Sequence, residues 1–189
     1  QIGRRFLTLC GAADLPVHIG AFDADHLGEP TEASRALISA LEAEPLTILA
    51  LGPVTNVAAA LLARPDLAPR VVEVVAVAGR LPGQHFTTGT TEIRPHRDFN
   101  FEKDAPAFQV LLDAGVPLTL APFELSRKVW IDREDLARWA TASAPARELA
   151  VAGEVWLSMW EERFGVAAFN PFDTLAVSRV SHPGQLACT

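Results

Sequence analysis

The chain has 189 residues, 49% of them hydrophobic and 21% charged. A chain of this size can bury roughly two-thirds of its unfolded surface, which excludes a disordered or low-complexity polypeptide. Sixteen Lys and Arg against 23 Asp and Glu give a formal charge of −7. Such a surface repels phosphate backbones, so nucleic acid is not an expected partner. No apolar run approaches the ~20 residues that span a bilayer, and no signal peptide opens the chain, so no membrane partner is expected. Cys10 and Cys188 show neither metal nor redox spacing. A reducing cytoplasm is the expected location. The chain begins at Gln1 and its last five residues show no obvious terminus. The expectation is one domain over 1–189, cut from a longer protein at its N-terminus and open to truncation at its C-terminus.

Strand-like and helix-like patterns alternate along the chain. Residues 16–21 form a short β-type run. Thr31 has the character of an N-cap for a helix to about Glu44, with Ala33, Leu37 and Leu41 at helical spacing. Leu46 to Leu51 is a nearly continuous apolar run, which predicts a strand buried on both faces. Gly52-Pro53 turns the chain into a helix over 54–63, and a buried strand is predicted over 71–78. A long polar loop follows to about Asn100. Asp104 is expected to cap a helix that Gly115 ends, and 116–121 is the next strand. Asp132 and Asp135 mark a short helix. A longer helix over 145–164 carries Leu149, Ala152, Trp156, Met159 and Trp160 on one stripe, with Gly165 as its stop. The recurring strand–helix order predicts an α/β fold, a mostly parallel open sheet with helices on both faces.

Ligands of open α/β sheets gather outside the carboxyl ends of the strands. That directs attention to the loops after Leu51, Ala78 and Ala121, and to the segment 170–175. In that segment Asn170 is placed to cap a helix, with Pro171 at its first position and Asp173 in its first turn. Asp173 is then either a residue favoured by the helix dipole or a metal or substrate ligand, and spacing alone does not decide. Asp98 and Asn100 lie at i and i+2. On an extended segment they would point the same way and could grip adjacent sugar hydroxyls, Asp through acceptors and Asn through a donor and an acceptor. The alternative is a polar turn before the Asp104 helix.

At these residues the chain resembles the inosine-uridine preferring nucleoside hydrolase family. The matching stretches are Leu46-Thr47-Ile48-Leu49-Ala50-Leu51-Gly52-Pro53-Val54-Thr55-Asn56-Val57-Ala58, Asp98-Phe99-Asn100-Phe101, Gly115-Val116-Pro117-Leu118 and Asp173-Thr174-Leu175-Ala176-Val177. Their order and distances agree with the family from about Pro16 to Val180. The resemblance implies a nucleoside hydrolase-like fold and a calcium-assisted enzyme that converts a ribonucleoside and water to ribose and free base. It implies Ca2+ as cofactor, Asp173 as a metal carboxylate and the main-chain oxygen of Leu51 as a second metal ligand. Asn100 matches the ribose-binding asparagine, and Asp98 stands where the family usually has Glu. The family often forms homo-oligomers, so self-association is an open expectation.

Several positions depart from the family. Its N-terminal Asp-x-Asp-Pro-Gly-x-Asp-Asp stretch, which supplies most of the calcium carboxylates and the water-activating base, is absent. Asp23-Ala24-Asp25-His26 has part of that spacing but reads as a solvated loop, and His26 is a weak match to a family loop histidine. One carboxylate and one carbonyl do not satisfy an ion that takes six to eight oxygens. Phe172 occupies a position where purine-active members often have the histidine that protonates the leaving base. A pyrimidine or other leaving group, or a different acid, is then required, with His96 a candidate for the acid. His18, His85 and His182 read as structural. Glu92, Arg94 and Arg97 add charge to the loop and could favour a different or phosphorylated sugar. Trp156 and Trp160 serve core packing or roof a base. The catalytic acid and base are unassigned. Beside the hydrolase stand two alternatives: a non-catalytic homologue or fragment that binds a sugar or nucleoside, and a different doubly wound α/β protein.

Overall fold

A computed structural model of the chain describes residues 2–84 and 98–186. In chain order the elements are α1 (Ile2–Leu9), α2 (Glu32–Ala43), β1 (Leu46–Ala50), α3 (Thr55–Ala63), β2 (Val71–Ala76), α4 (Ala105–Asp113) and β3 (Leu118–Leu120). They continue with α5 (Phe123–Ser126), β4 (Ile131–Asp132), α6 (Arg133–Ala142), α7 (Ala144–Phe164), β5 (Ala168–Phe169) and α8 (Thr174–Ser181). The described residues fall into two compact units, 18–84 with 98–126 and 172–186, and 2–17 with 127–171.

The first unit is built on a parallel sheet in the order β1-β2-β3. Its register sets Ala50 beside Ala76 and Ala76 beside Leu120, so the three strands end in one row. One face of β2 sends Val74 and Ala76 into a core with Leu41 of α2, Ala58 and Leu61 of α3, and Phe108 and Leu111 of α4. The opposite face sends Val75 toward Leu175 and Ala176 of α8, with Val77 and Ala121 beside it. Helices therefore cover both faces of a parallel sheet, the α/β class that the alternating pattern predicts. Thr31 caps α2 reciprocally with Ser34, as a hydroxyl before an apolar-periodic run should.

Local expectations fail where tertiary partners decide the outcome. β1 is an edge strand in which Thr47 and Leu49 are exposed, so it is buried on one face and not two. Residues 16–21 form no strand; an extended run becomes β structure only when a neighbour takes its backbone groups. The helix expected from Pro171 begins at Thr174, with Asp173 itself at the N-cap. Asn170 instead donates its amide to the carbonyls of Arg127 and Val129, at 3.2 and 2.6 Å. These bonds draw Asn170 out of the capping position.

In the second unit α6 packs on α7, and β4 pairs antiparallel with β5. Asp132 and Asp135 form the capping box that starts α6, and Gly165 ends α7 at φ 66°. The buried face of α7 is Ala150, Gly153, Leu157 and Trp160. Of the stripe read from the sequence only Trp160 is fully inside; Leu149, Ala152 and Trp156 are exposed. Gly153 selects the other face, because it admits Leu136 of α6 where any side chain would collide. No helix among the described residues is long and apolar enough to cross a membrane.

Candidate functional site at the carboxyl edge of the sheet

Parallel strands send their exits to one edge. The Val77 N–H donates to the Ala50 carbonyl and the Ala121 N–H to the Ala76 carbonyl, which extends the ladder one step past each strand end. Leu51, Val77 and Ala121 therefore stand side by side at the rim. Leu51 is 41% exposed, an unusual setting for a leucine at the end of a sheet strand. Its side chain has no chemistry to offer, and its interest lies in its main-chain oxygen.

Asn100 reaches the same rim from a turn. Its Nδ2 donates to the Val77 carbonyl at 2.7 Å. Its carboxamide oxygen accepts no hydrogen bond among the described residues. Asp98 behaves differently. Residues 99–103 form a turn and not an extended segment, so the two side chains do not run parallel as expected on spacing. The Asp98 carboxylate accepts from the N–H groups of Gly79 at 2.6 Å, Asn100 at 2.8 Å and Phe101 at 3.1 Å. The residue is only 4% exposed.

Asp173 approaches on α8. Leu175 and Ala176, two and three residues further on, pack against Val75, Val77 and Ala121. The amino end of α8 thus lies against the strand ends that carry the other site residues. Its carboxylate makes no capping bond. Although the residue is exposed, partial loss of hydration pushes its pKa up.

Asp104 stands at the N-cap of α4 as expected, but its side chain makes no capping bond there. Thr55, the first residue of α3, donates its hydroxyl to Asp104 Oδ2 at 2.9 Å. Asp104 is fully buried, and its Oδ1 has no partner among the described residues. Burial pushes its pKa up, against the hydrogen bonds from Thr55 and Val54 that favour the charged form. The neighbouring Asn56 Oδ1 accepts from the Ala21 N–H at 2.9 Å and the Thr31 hydroxyl at 3.0 Å. A Cβ on Gly20 would lie 2.6 Å from the Asn56 amide. The Val54-Thr55-Asn56 step is therefore a hub joining three loops, and its signal was the pair of polar residues opening an otherwise apolar helix. Glu124 adds a further carboxylate past β3, where its Oε2 accepts from the Leu81 N–H at 3.1 Å.

The remaining candidates divide. Phe172 stacks on Phe123, with centroids 5.9 Å apart and planes at 27°. Asp23 and His26 form an exposed pair in a short 3-10 turn, in which the carboxylate raises the histidine pKa. Trp160 packs edge-on to Trp130 and Phe164, whereas Trp156 is half exposed. His85, Glu92, Arg94, His96 and Arg97 lie outside the described residues, as does Cys188; Cys10 is exposed and free.

A calcium ion takes six to eight oxygens. No group of three or more His, Cys, Asp or Glu is gathered for a metal among the described residues. Asp173 and the Leu51 carbonyl do not by themselves fit the ion.

The profile of the family described as inosine-uridine preferring nucleoside hydrolase matches residues 3–188. The pyrimidine-specific ribonucleoside hydrolase RihA of Escherichia coli O7:K1 is 28% identical over 169 residues, covering 75% of this chain and 52% of its own length. The pyrimidine-specific ribonucleoside hydrolase RihB of Escherichia coli O139:H28 is 27% identical over 158 residues, covering 82% of this chain and 48% of its own. The chain thus spans about half the length of these curated relatives. Among solved structures, the plant nucleoside hydrolase PpNRh1 superposes with a TM-score of 0.79 at 21% identity, covering 98% of this chain and 66% of that one. A match over nearly every residue, on a parallel sheet whose strand ends carry Leu51, Asn100 and the helix of Asp173, leads to one conclusion: the chain belongs to the inosine-uridine preferring nucleoside hydrolase family.

Proposed function

We propose that this chain is part of the catalytic domain of a ribonucleoside hydrolase, which cleaves the N-glycosidic bond to yield ribose and free base. The observation that carries this reading is the convergence of Leu51, Asn100 and the amino end of α8 on one edge of the sheet in a member of that family. The free carboxamide oxygen of Asn100 accepts a ribose hydroxyl. Holding the sugar matters because the bond breaks through an oxocarbenium-like state, and strain and hydroxyl contacts lower that barrier. The cofactor in this reading is calcium, with Asp173 and the Leu51 carbonyl as part of its shell. The other oxygens come from outside the described residues.

The leaving group we assign is a pyrimidine. Phe172 has no proton to give, and its ring is occupied against Phe123. The pyrimidine specificity of the RihA and RihB relatives agrees with this. The enzyme acts in the cytoplasm on a small-molecule nucleoside.

Uridine, cytidine and inosine offered to the full-length protein with calcium test the reading. Release of reducing sugar from the pyrimidine nucleosides, lost in Asp173→Ala, is the expected result. Tight nucleoside binding without any sugar release would instead favour a non-catalytic binding homologue, the reading suggested by the incomplete donor set of the described residues.

A further inference from the structure

We infer that Asp98 is a positioning residue for Asn100 and does not touch the sugar. The inference rests on the reading of Asn100 as the sugar contact. A carboxylate has about four lone-pair sites. In Asp98 three of them receive the backbone N–H groups of Gly79, Asn100 and Phe101, and the side chain is almost wholly buried. Its two oxygens face different parts of the chain. Oδ2 holds Gly79, just past the end of β2, and Oδ1 holds the two residues that open the turn. The carboxylate therefore pins the turn to the strand end, and the Asn100 amide lands on the Val77 carbonyl two residues before Gly79. Among the described residues the other ties between this turn and the chain after β2 are the Asn100 amide itself and the Arg80–Glu102 ion pair at 3.3 Å, and neither holds the Asn100 backbone directly. The Asp104 N–H bond to the Phe101 carbonyl closes the turn on itself and adds no tie to the strand.

Side-chain length supports this assignment. Asp is short enough to accept from the amide two residues ahead, the local geometry that Asp and Asn adopt in turns. A glutamate here would carry its carboxylate past those amides.

The experiment is a double-mutant cycle of Asp98→Asn and Asn100→Ala in the full-length protein, read as kcat/KM for the nucleoside it cleaves. Asp98→Asn keeps the acceptor for Asn100 and Phe101 but sets an amide against the Gly79 N–H. We expect a loss of about ten- to a hundredfold, the range for partners that orient a ligand-bearing group. In the Asn100→Ala background the same change should cost less than about threefold, because the residue it orients is gone. Losses that multiply would mean that Asp98 meets substrate itself and would overturn the proposal. Asp98→Glu separates the two roles again: a sugar ligand would tolerate the longer acid, whereas a positioning residue loses activity. It also serves if Asp98→Asn does not fold.

Exchange of the Asn100 side-chain amide protons, followed by NMR, needs no catalysis. Asp98 does not contact that amide, so faster exchange in either variant reports lost aim, and unchanged exchange would end the proposal. Should the wild-type protein cleave no nucleoside, the hydrolase reading falls while the NMR result still decides the role of Asp98.

Discussion

Asp104 has no solvent to share its charge, and one of its oxygens has no partner among the described residues. Its other oxygen holds Thr55. Removing that hydroxyl while keeping side-chain shape, as in Thr55→Val, leaves a buried carboxylate still poorer in donors. Urea unfolding should show a loss of about 1–3 kcal/mol. The pH dependence follows from the raised pKa. The folded state holds its proton at pH values where the unfolded chain has released it. Stability from this group is therefore greatest below the ordinary carboxylate range and falls as pH rises toward the folded pKa. Asp104→Asn cannot titrate. Over that interval the variant should gain on the wild type, and a constant difference between the two unfolding curves would show that the carboxyl does not titrate as its burial requires.

Elements with local punctuation were legible in the sequence, and those that depend on partners were not. Thr31, Asp132 and Gly165 marked helix ends through bonds made within a few residues, and α2, α6 and α7 lie where they should. Leu51 was legible as a residue at a strand exit for the same reason, since the apolar run before it is short and clear, whereas Asn100, beyond a long polar loop, was singled out by its spacing from Asp98 and by the resemblance. The three amides gathered by Asp98 were not, because a turn's geometry leaves no periodic trace. Nor was the buried face of α7. A helix rich in Leu, Val, Ala and Trp on several sides has no single apolar stripe, and its orientation was decided by Gly153. In the structure a Cβ there would meet the Leu136 methyls at 2.6 and 3.3 Å. Alanine raises helix propensity by about 1 kcal/mol over glycine, yet overpacking a core costs about 1–3 kcal/mol. Gly153→Ala should therefore lower the thermal midpoint in the wild-type background. With Leu136→Ala already in place the clash is gone, and the same change should raise it. The same sign in both backgrounds would mean that Leu136 does not set the approach of α6 to α7.

For the molecule as a whole the open term is the cation. In the proposed shell, Asp173 has a pKa above its ordinary value, so calcium must compete with protons for it. Two consequences follow for the full-length protein if the proposed calcium shell is right. Calcium should raise its unfolding temperature, because a ligand bound only by the folded state adds RT ln(1 + [L]/Kd), about 2.7 kcal/mol at a hundredfold excess over Kd. The calcium affinity should also weaken as pH falls through the raised Asp173 pKa, since the proton must leave before the ion can bind. Asp173→Asn removes one charge and should weaken both effects, while relieving the desolvated carboxylate and so leaving the metal-free protein no less stable. Calorimetric titration across pH, with differential scanning of both proteins, separates these outcomes. A calcium-induced shift that persists unchanged in Asp173→Asn would locate the ion elsewhere and detach the metal from this edge of the sheet.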